Sequence, residues 1–347
     1  MKRRPPFLAA LLLSGLLALP AHGAASPSAT EKSAPAVKVD AASSQRLQEA
    51  ADAVVAVRTK ALSDARSNAS LGPQRSGSGV LIAPSGLVLT IGYLILEADE
   101  VEITDSAGRS FPASVVAYDH ATGFGLLRPI GPVAVKPIAL GASHSIEQLD
   151  RLMFATAGEG GVSVTTVVSR RPFAGYWEYL IDGAIFTAPP RGDHSGAALI
   201  NKEGELVGIG SLFVMDAMTP GERLPGNMFV PIDLLKPILA EMIETGRQKA
   251  GRRPWIGINS VEDDGRVKVL RVTKDGPADV AGLRPGDIIL SIGGEKVREL
   301  PDFYRRLWSA GEPGAEVALT VLQGVELREM KVKSIDRLDF IRRKPSI

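Results

Sequence analysis

The sequence predicts a mainly β protein, with a larger barrel- or sandwich-forming unit followed by a smaller α+β unit. Three observations predict it. Gly and Pro are plentiful, at 36 and 24 of 347 residues, while aromatics make up only 5%, a balance that favours turn-rich β structure over helix. Short apolar runs broken by Gly, Pro, Asn and Asp recur from Val54 to Val230 with no strong helical pattern among them, the signature of a sandwich or barrel. A helical apolar stripe then sets this region apart from a second set of strands that begins at Trp255.

The elements follow in order. Lys2-Arg3-Arg4 precedes an apolar stretch from Phe7 to Leu19, and Pro20 and Ala21-His22-Gly23 follow it. A basic start, a short apolar core and small residues at its end make residues 1–23 a secretory signal peptide. The apolar run is short for a membrane span of about 20 residues. Cleavage would remove three positive charges and bring the formal net charge from +1 to −2. Residues 24–45 are rich in Ala, Ser and Pro and read as a flexible linker. Leu47–Ala53 is helix-like and runs into the β-type Val54-Val55-Ala56-Val57. After a polar loop, Gly79–Ile82 and Leu87–Thr90 flank the turn Pro84-Ser85-Gly86 as a hairpin, and Val101–Thr104 and Pro112–Tyr118 are further strands. Asp233 is an N-cap type residue ahead of the stripe Leu234, Leu235, Ile238, Leu239, Met242 and Ile243, with Gly246 as its stop. The second unit carries expected strands near 255–260, 266–273, 287–292, 315–322 and 326–333, and a helix over 301–309. Eighty-odd residues suffice for one small core. The domain limits are thus 46–246 for the first unit, 247–253 for a basic hinge, 254–336 for the second unit and 337–347 for a charged tail.

Composition excludes several functions. With no cysteine there is no disulfide, thiol catalysis, Cys-ligated zinc or lipidated N-terminal Cys. His22, His120, His144 and His194 are the only histidines, and no metal spacing is present. A near-neutral charge gives no sign of nucleic-acid binding. No cofactor is expected.

Ser76-Gly77-Ser78-Gly79-Val80-Leu81-Ile82, Gly86-Leu87-Val88-Leu89-Thr90, and Ser195-Gly196 ahead of Leu199-Ile200-Asn201 and Gly204–Ile209 resemble the HtrA/Deg family. These are trypsin-like serine proteases with C-terminal PDZ domains, and the resemblance runs over about residues 46–335. It implies a trypsin-like double six-stranded β-barrel followed by one α+β PDZ domain. The family's chemistry needs a serine nucleophile, a histidine to take its proton and a buried carboxylate to orient the imidazole. At the histidine position, Thr90-Ile91-Gly92-Tyr93-Leu94 offers Tyr93, whose ordinary pKa near 10 leaves it protonated at neutral pH. At the aspartate position, Thr122-Gly123-Phe124-Gly125-Leu126-Leu127 offers Gly123. Ser195 retains the nucleophile position, as a vestige. The oxyanion region reads Gly192-Asp193-His194-Ser195-Gly196-Ala197. Either Asp193 stands in place of the family's glycine or one residue is inserted and Gly192 is displaced, and both alter the turn. His194 adjoins Ser195 on a chain where neighbours point apart. His120 beside Asp119 is a second substitute base, set against the plainer reading of a polar turn, and His144 reads as a surface-loop residue.

In the second unit, Arg252-Arg253-Pro254-Trp255-Ile256-Gly257-Ile258 resembles the carboxylate-binding loop and first strand of these PDZ domains. Lys274–Ala278, Ala281–Ile289 and Ile292-Gly293-Gly294 match the rest of the motif without a break. The resemblance implies a peptide site at Trp255, Ile256, Gly257 and Ile258, where backbone N–H groups near Ile256 to Ile258 receive a C-terminal carboxylate beside an added strand. Phe303 and Leu307 share a helix face, with Leu307 as pocket wall or core. Arg252 and Arg253 either favour an anionic terminus or form a solvated hinge. The implied protein is a periplasmic pseudoprotease that binds unfolded segments or C-terminal peptides as chaperone, adaptor or regulator in protein quality control. The alternative is an active endopeptidase with a rearranged base. A homo-oligomer, trimeric by resemblance, is also implied.

Overall fold

The structure is a computed structural model, and it describes residues 41–157, 161–248 and 252–342. The signal peptide and most of the linker lie outside the described residues. Among these residues no helix is long and apolar enough to cross a membrane.

Twelve strands form two closed antiparallel barrels. The first contains β1 (Val54–Ala61), β2 (Gln74–Leu81), β3 (Val88–Ile91), β4 (Ala98–Thr104), β5 (Ser110–Tyr118) and β6 (Phe124–Pro129), closing in the order β1-β2-β3-β6-β5-β4. The second contains β7 (Arg151–Ala155), β8 (Val162–Gly175), β9 (Tyr179–Ala188), β10 (Ala198–Ile200), β11 (Leu206–Val214) and β12 (Gly226–Pro231), in the order β10-β11-β12-β9-β8-β7. Closure removes the exposed edges that such short strands would otherwise present. Val55, Val57, Leu81, Leu89, Phe124 and Leu126 fill the first barrel, and Phe154 packs edge-on to Phe229 in the second. The predicted hairpin at 79–90 is the β2–β3 pair, with Gly79 opposite Thr90 and Leu81 opposite Val88.

The C-terminal unit is a sheet ordered β14-β15-β16-β18-β19, with β17 paired to β16. Its strands are β14 (Ile258–Asp263), β15 (Arg266–Val272), β16 (Ile288–Ile292), β17 (Glu295–Lys296), β18 (Glu316–Gln323) and β19 (Glu326–Lys333). A two-stranded pair, β13 (Pro254–Trp255) with β20 (Ile335–Asp336), closes its base. Two helices cover it, the four-residue α4 (Pro277–Val280) and α5 (Leu300–Ser309), which buries Leu300, Phe303, Tyr304 and Leu307.

Three expectations need correction. The sequence places the linker up to residue 45, but α1 spans Ala41–Asp52, and a four-residue α2 (Asn68–Leu71) follows β1. Side-chain bonds from Gln45 to Glu49 and Gln48 to Asp52 support α1, Ala50 is buried, and Lys136 bonds Glu49. A single helix from Asp233 is also not formed. Residues 232–234 make a 3₁₀ turn, and α3 starts only at Leu239, ending at Thr245 before the left-handed Gly246. Pro237 has no N–H to give an α-helical partner. The Asp233 carboxylate is taken by the backbone N–H and ring of His144 and by Lys236, which hold its pKa well below the carboxylate range against burial. The charged tail, finally, is folded as far as residue 342. Asp336 caps α6 (Arg337–Phe340), and the Arg342 N–H donates to Glu97 of the first barrel.

Phe340 anchors that segment. Its ring lies 4.9 Å from Trp255 and 4.0 Å from the Arg66 guanidinium. Phe340→Ala is expected to lower stability by about 1–2 kcal/mol through these aromatic and cation–π contacts. A urea titration showing an unchanged midpoint would mean that the segment only rests on the barrel.

Candidate functional site

Ser195 sits in the turn before β10, where the barrels meet. Its carbonyl accepts from Ser78 N at 2.8 Å, so the turn is stitched to β2. Two glycines make this approach feasible. A Cβ at Gly77 would lie 2.5 Å from the Ser195 carbonyl oxygen. Gly196 has φ +72°, and a Cβ there would overlap the Ser78 carbonyl and stand 2.8 Å from Thr90 Oγ1.

Tyr93 lies in the 3₁₀ turn Gly92–Leu94 that follows β3. Arg75, buried on β2, holds this loop by donating to the carbonyls of Tyr93 and Leu96 at 3.0 and 2.6 Å. The Tyr93 hydroxyl lies 2.9 Å from Ser195 Oγ and 2.7 Å from the Ser211 carbonyl oxygen. A phenol has one proton, and a carbonyl can only accept. The proton therefore goes to Ser211, and Ser195 donates its own to the phenol oxygen. Burial pushes the Tyr93 pKa up to about 12, against the opposing bond with Ser195. Neutral at physiological pH and already donating, this group cannot take the Ser195 proton.

Gly123 lies close by, its carbonyl accepting from Gly92 N at 2.6 Å. It has φ +79°, and a Cβ on it would come 2.9 Å from Tyr179 Oη. Tyr179 in turn donates to the Thr122 carbonyl at 2.6 Å and stacks on Trp177, with ring centroids 5.4 Å apart and planes at 15°. Aromatic side chains therefore fill the space that an orienting carboxylate would need. The buried Asp119 carboxylate serves its own turn, accepting from Thr122 N and Oγ1 at 2.8 and 2.6 Å.

Neither substitute base reaches the serine. His120 lies against Tyr118 Oη at 3.2 Å, and its Nε2 accepts from Arg337 at 2.9 Å. Burial, then the charges of Arg337 and Arg253, hold its pKa well below the ordinary value, so it stays neutral. His194 Nδ1 donates to the Arg191 carbonyl at 3.1 Å. Among the described residues no imidazole hydrogen-bonds Ser195.

The turn ahead of the serine has its own cluster. Arg191 grips Asp193 through Nε at 2.9 Å and Nη2 at 2.5 Å, and Thr156 donates to the same carboxylate at 2.8 Å. Arg191 is the main cause of a lowered Asp193 pKa, with burial opposing it. Gly192 is not in the left-handed region, and a Cβ on it would meet open space. The backbone at 192 thus makes no demand for glycine. Among the described residues no group of three or more His, Asp or Glu side chains could hold a metal ion.

The second candidate site is occupied by the protein itself. The N–H groups of Ile256, Gly257 and Ile258 all donate to the carboxylate of Glu178, at 3.1, 2.7 and 2.9 Å. Glu178 lies in the turn between β8 and β9. The Ser260 N–H donates to the Tyr176 carbonyl at 2.8 Å, and Leu180 packs into the cluster that contains Ile256, Ile258, Phe303 and Leu307. Leu307 is therefore both core and pocket wall. Trp255 turns away, toward Phe340. Arg252 pairs with Glu312 and Asp336, while Arg253 lies 3.9 Å over Trp308 and reaches the Ala121 carbonyl. The cation that acts on the carboxylate is Arg337. Sequence reasoning missed Glu178, Tyr304 and Arg337. An acid inside the aromatic run Tyr176-Trp177-Glu178-Tyr179 was the available signal.

Residues 77–209 match the trypsin-like peptidase domain family, and residues 254–334 match the PDZ domain family. The chain is 28% identical over 276 residues to the periplasmic pH-dependent serine endoprotease DegQ of Escherichia coli K12, covering 74% of this chain and 58% of DegQ. It is 28% identical over 299 residues to the serine endoprotease DegS of Haemophilus influenzae, covering 79% of this chain and 82% of DegS. The chain thus spans little more than half the length of DegQ. The crystal structure of a serine endoprotease from Yersinia pestis aligns over 86% of this chain with a TM-score of 0.53 at 23% identity. The HtrA-type protease AlgW with a tripeptide aligns over 87% with a TM-score of 0.52 at 22% identity.

Proposed function

We propose that this chain, an HtrA/Deg-type trypsin-like peptidase domain followed by a PDZ domain, is a non-catalytic polypeptide binder of protein quality control. It would hold unfolded segments or C-terminal peptides as chaperone, adaptor or regulator. Export through residues 1–23, residence in the periplasm and assembly as a homo-oligomer belong to the same proposal; periplasmic location is in the names of relatives such as DegQ.

One observation carries the reading. The Tyr93 phenol gives its proton to the Ser211 carbonyl and accepts one from Ser195, so the serine faces a group that cannot serve as base. Nucleophilic catalysis by serine needs such a base. Gly123 supports the same reading, because Tyr179 fills its surroundings and leaves no room for an orienting carboxylate. The competing reading, an endopeptidase with a rearranged base, has His120 and His194 as its candidates, and both are bonded elsewhere.

The mature protein is expected to resist labelling by a fluorophosphonate probe. Its turnover of unfolded casein should equal that of Ser195→Ala, while both proteins slow casein aggregation equally. Labelling at Ser195, or cleavage that disappears in the alanine variant, would establish the competing reading.

A further inference from the structure

The groove of the PDZ domain holds a carboxylate, and that carboxylate belongs to the chain itself. We propose that the β8–β9 hairpin is the groove's resident ligand, with Glu178 standing where a peptide's terminal carboxylate would lie, so that a free C-terminus enters only by displacing it. The proposal rests on the reading of this domain as a peptide site.

The contacts reproduce, one by one, what an added strand would make. Three consecutive N–H groups at 256–258 converge on the Glu178 oxygens. Two residues earlier, the Tyr176 carbonyl takes the Ser260 N–H, the first step of a strand laid along β14. Leu180 supplies the apolar anchor beside Phe303 and Leu307. Helix α5 clamps the turn through Tyr304, whose hydroxyl donates to the Gly175 carbonyl at 2.7 Å and accepts the Glu178 N–H at 3.3 Å. Glu178 has φ +57°, a conformation that a non-glycine residue seldom adopts and that surrounding structure must hold in place. A hairpin that only bridged two domains would need no carboxylate on three backbone donors.

The competitor's chemistry follows. It needs a free α-carboxylate, an apolar last residue and an extended backbone. Because the groove is closed in the resting chain, such a peptide's apparent affinity is its intrinsic affinity reduced by the fraction of open molecules.

The docked state also depends on pH. Glu178 is faced by Tyr304 from α5, by Arg337 at the start of α6 and by His120 from the turn between β5 and β6. Burial pushes its pKa up to about 7, against the three N–H groups and Arg337. A raised carboxylate pKa means that the docked form binds its proton more tightly than the released form. Docking is therefore strongest below the released group's pKa near 4.5 and weakens as pH rises to about 7. The α-carboxylate of a competing peptide stays ionised throughout.

The test uses the full mature chain and a fluorescein-labelled decapeptide ending in leucine with a free carboxylate, its C-terminal amide serving as control. Anisotropy is read at pH 5 and pH 8 for wild type, Glu178→Ala and Glu178→Lys, with thermal melts and casein holding in parallel. At pH 5 both variants should bind the free-acid peptide at least tenfold more tightly than wild type. The gap should narrow at pH 8, and the amide should bind to none of them. Equal affinity of all three proteins would overturn the resident-ligand proposal while polypeptide binding stands. Folded variants that bind no peptide would make the hairpin a fixed joint and overturn it too. Failure of both variants to fold would do the same, since a displaceable ligand is not needed for folding. Failure of wild type to hold casein counts instead against the proposed function.

Discussion

Tyr93→His alone is expected to leave casein turnover at the level of Ser195→Ala. An imidazole at this position would have no carboxylate to fix its tautomer, because Gly123 holds none and Asp119 is bonded to Thr122. A complete triad accounts for about a millionfold in rate, and its members act as a unit, so restoring one recovers almost none of that. Adding Gly123→Asp does not complete the set. The backbone there has φ +79°, and the new Cβ would press on Tyr179 Oη at 2.9 Å. The strained conformation and the buried, unpaired charge together cost about 3 kcal/mol or more. The double variant should therefore melt earlier and remain inactive. The assay is fluorescein-casein release over hours, with an equal load of Ser195→Ala as baseline. Turnover of Tyr93→His clearly above that baseline would mean that an orienting group exists elsewhere in the cleft.

Gly196→Ala is expected to give a large loss of stability for a single methyl addition, about 2–5 kcal/mol. Its φ of +72° is unfavourable for alanine by about 1–2 kcal/mol. The remainder comes from overlap with the Ser78 carbonyl, a backbone atom held between two strands that can yield only by moving β2, and overpacking of that kind costs about 1–3 kcal/mol. The Ser78 N–H bond to the Ser195 carbonyl would break with that shift. Gly192→Ala is the control, since its Cβ meets open space. Chemical denaturation of the two variants should separate them by most of the predicted difference. Similar midpoints would show that the two barrels do not meet as tightly as the Gly196 contact requires.

The barrels were legible because their strands are short apolar runs bounded by turns, and the paired register of 79–82 with 87–90 follows from the turn between them. The second unit was legible from its unbroken Ala281–Ile289 stretch, which forms the turn into β16. At the candidate site, the sequence shows a tyrosine at 93 where the resembled family has its histidine, but not that residue's partner. That Tyr93 bonds the Ser211 carbonyl depends on two residues 118 apart in sequence. Tyr179 was hidden for the same reason: filling the space at Gly123 is a property of the packed barrels, and in sequence it reads as an ordinary aromatic strand residue. Pro237 was visible, yet the apolar stripe around it obscured its effect on the helix. Glu178 was the hardest to foresee. Its three partners lie 78 to 80 residues away in another domain, and only that domain's loop gives its charge a purpose.

The hairpin that carries Glu178 faces two ways. Tyr179, one residue on, closes the space at Gly123, and Trp177, one residue before, stacks on Tyr179 and offers its carbonyl to Arg337. The packing at Gly123 and the contacts at the 256–258 loop thus come from neighbouring residues of one turn. Glu178 and Tyr179 are consecutive, so the groove contact and the Tyr179 bond to the Thr122 carbonyl are held by one short stretch of chain. Three consecutive side chains therefore serve three different neighbours, and a substitution anywhere in 177–179 is felt in both halves of the chain.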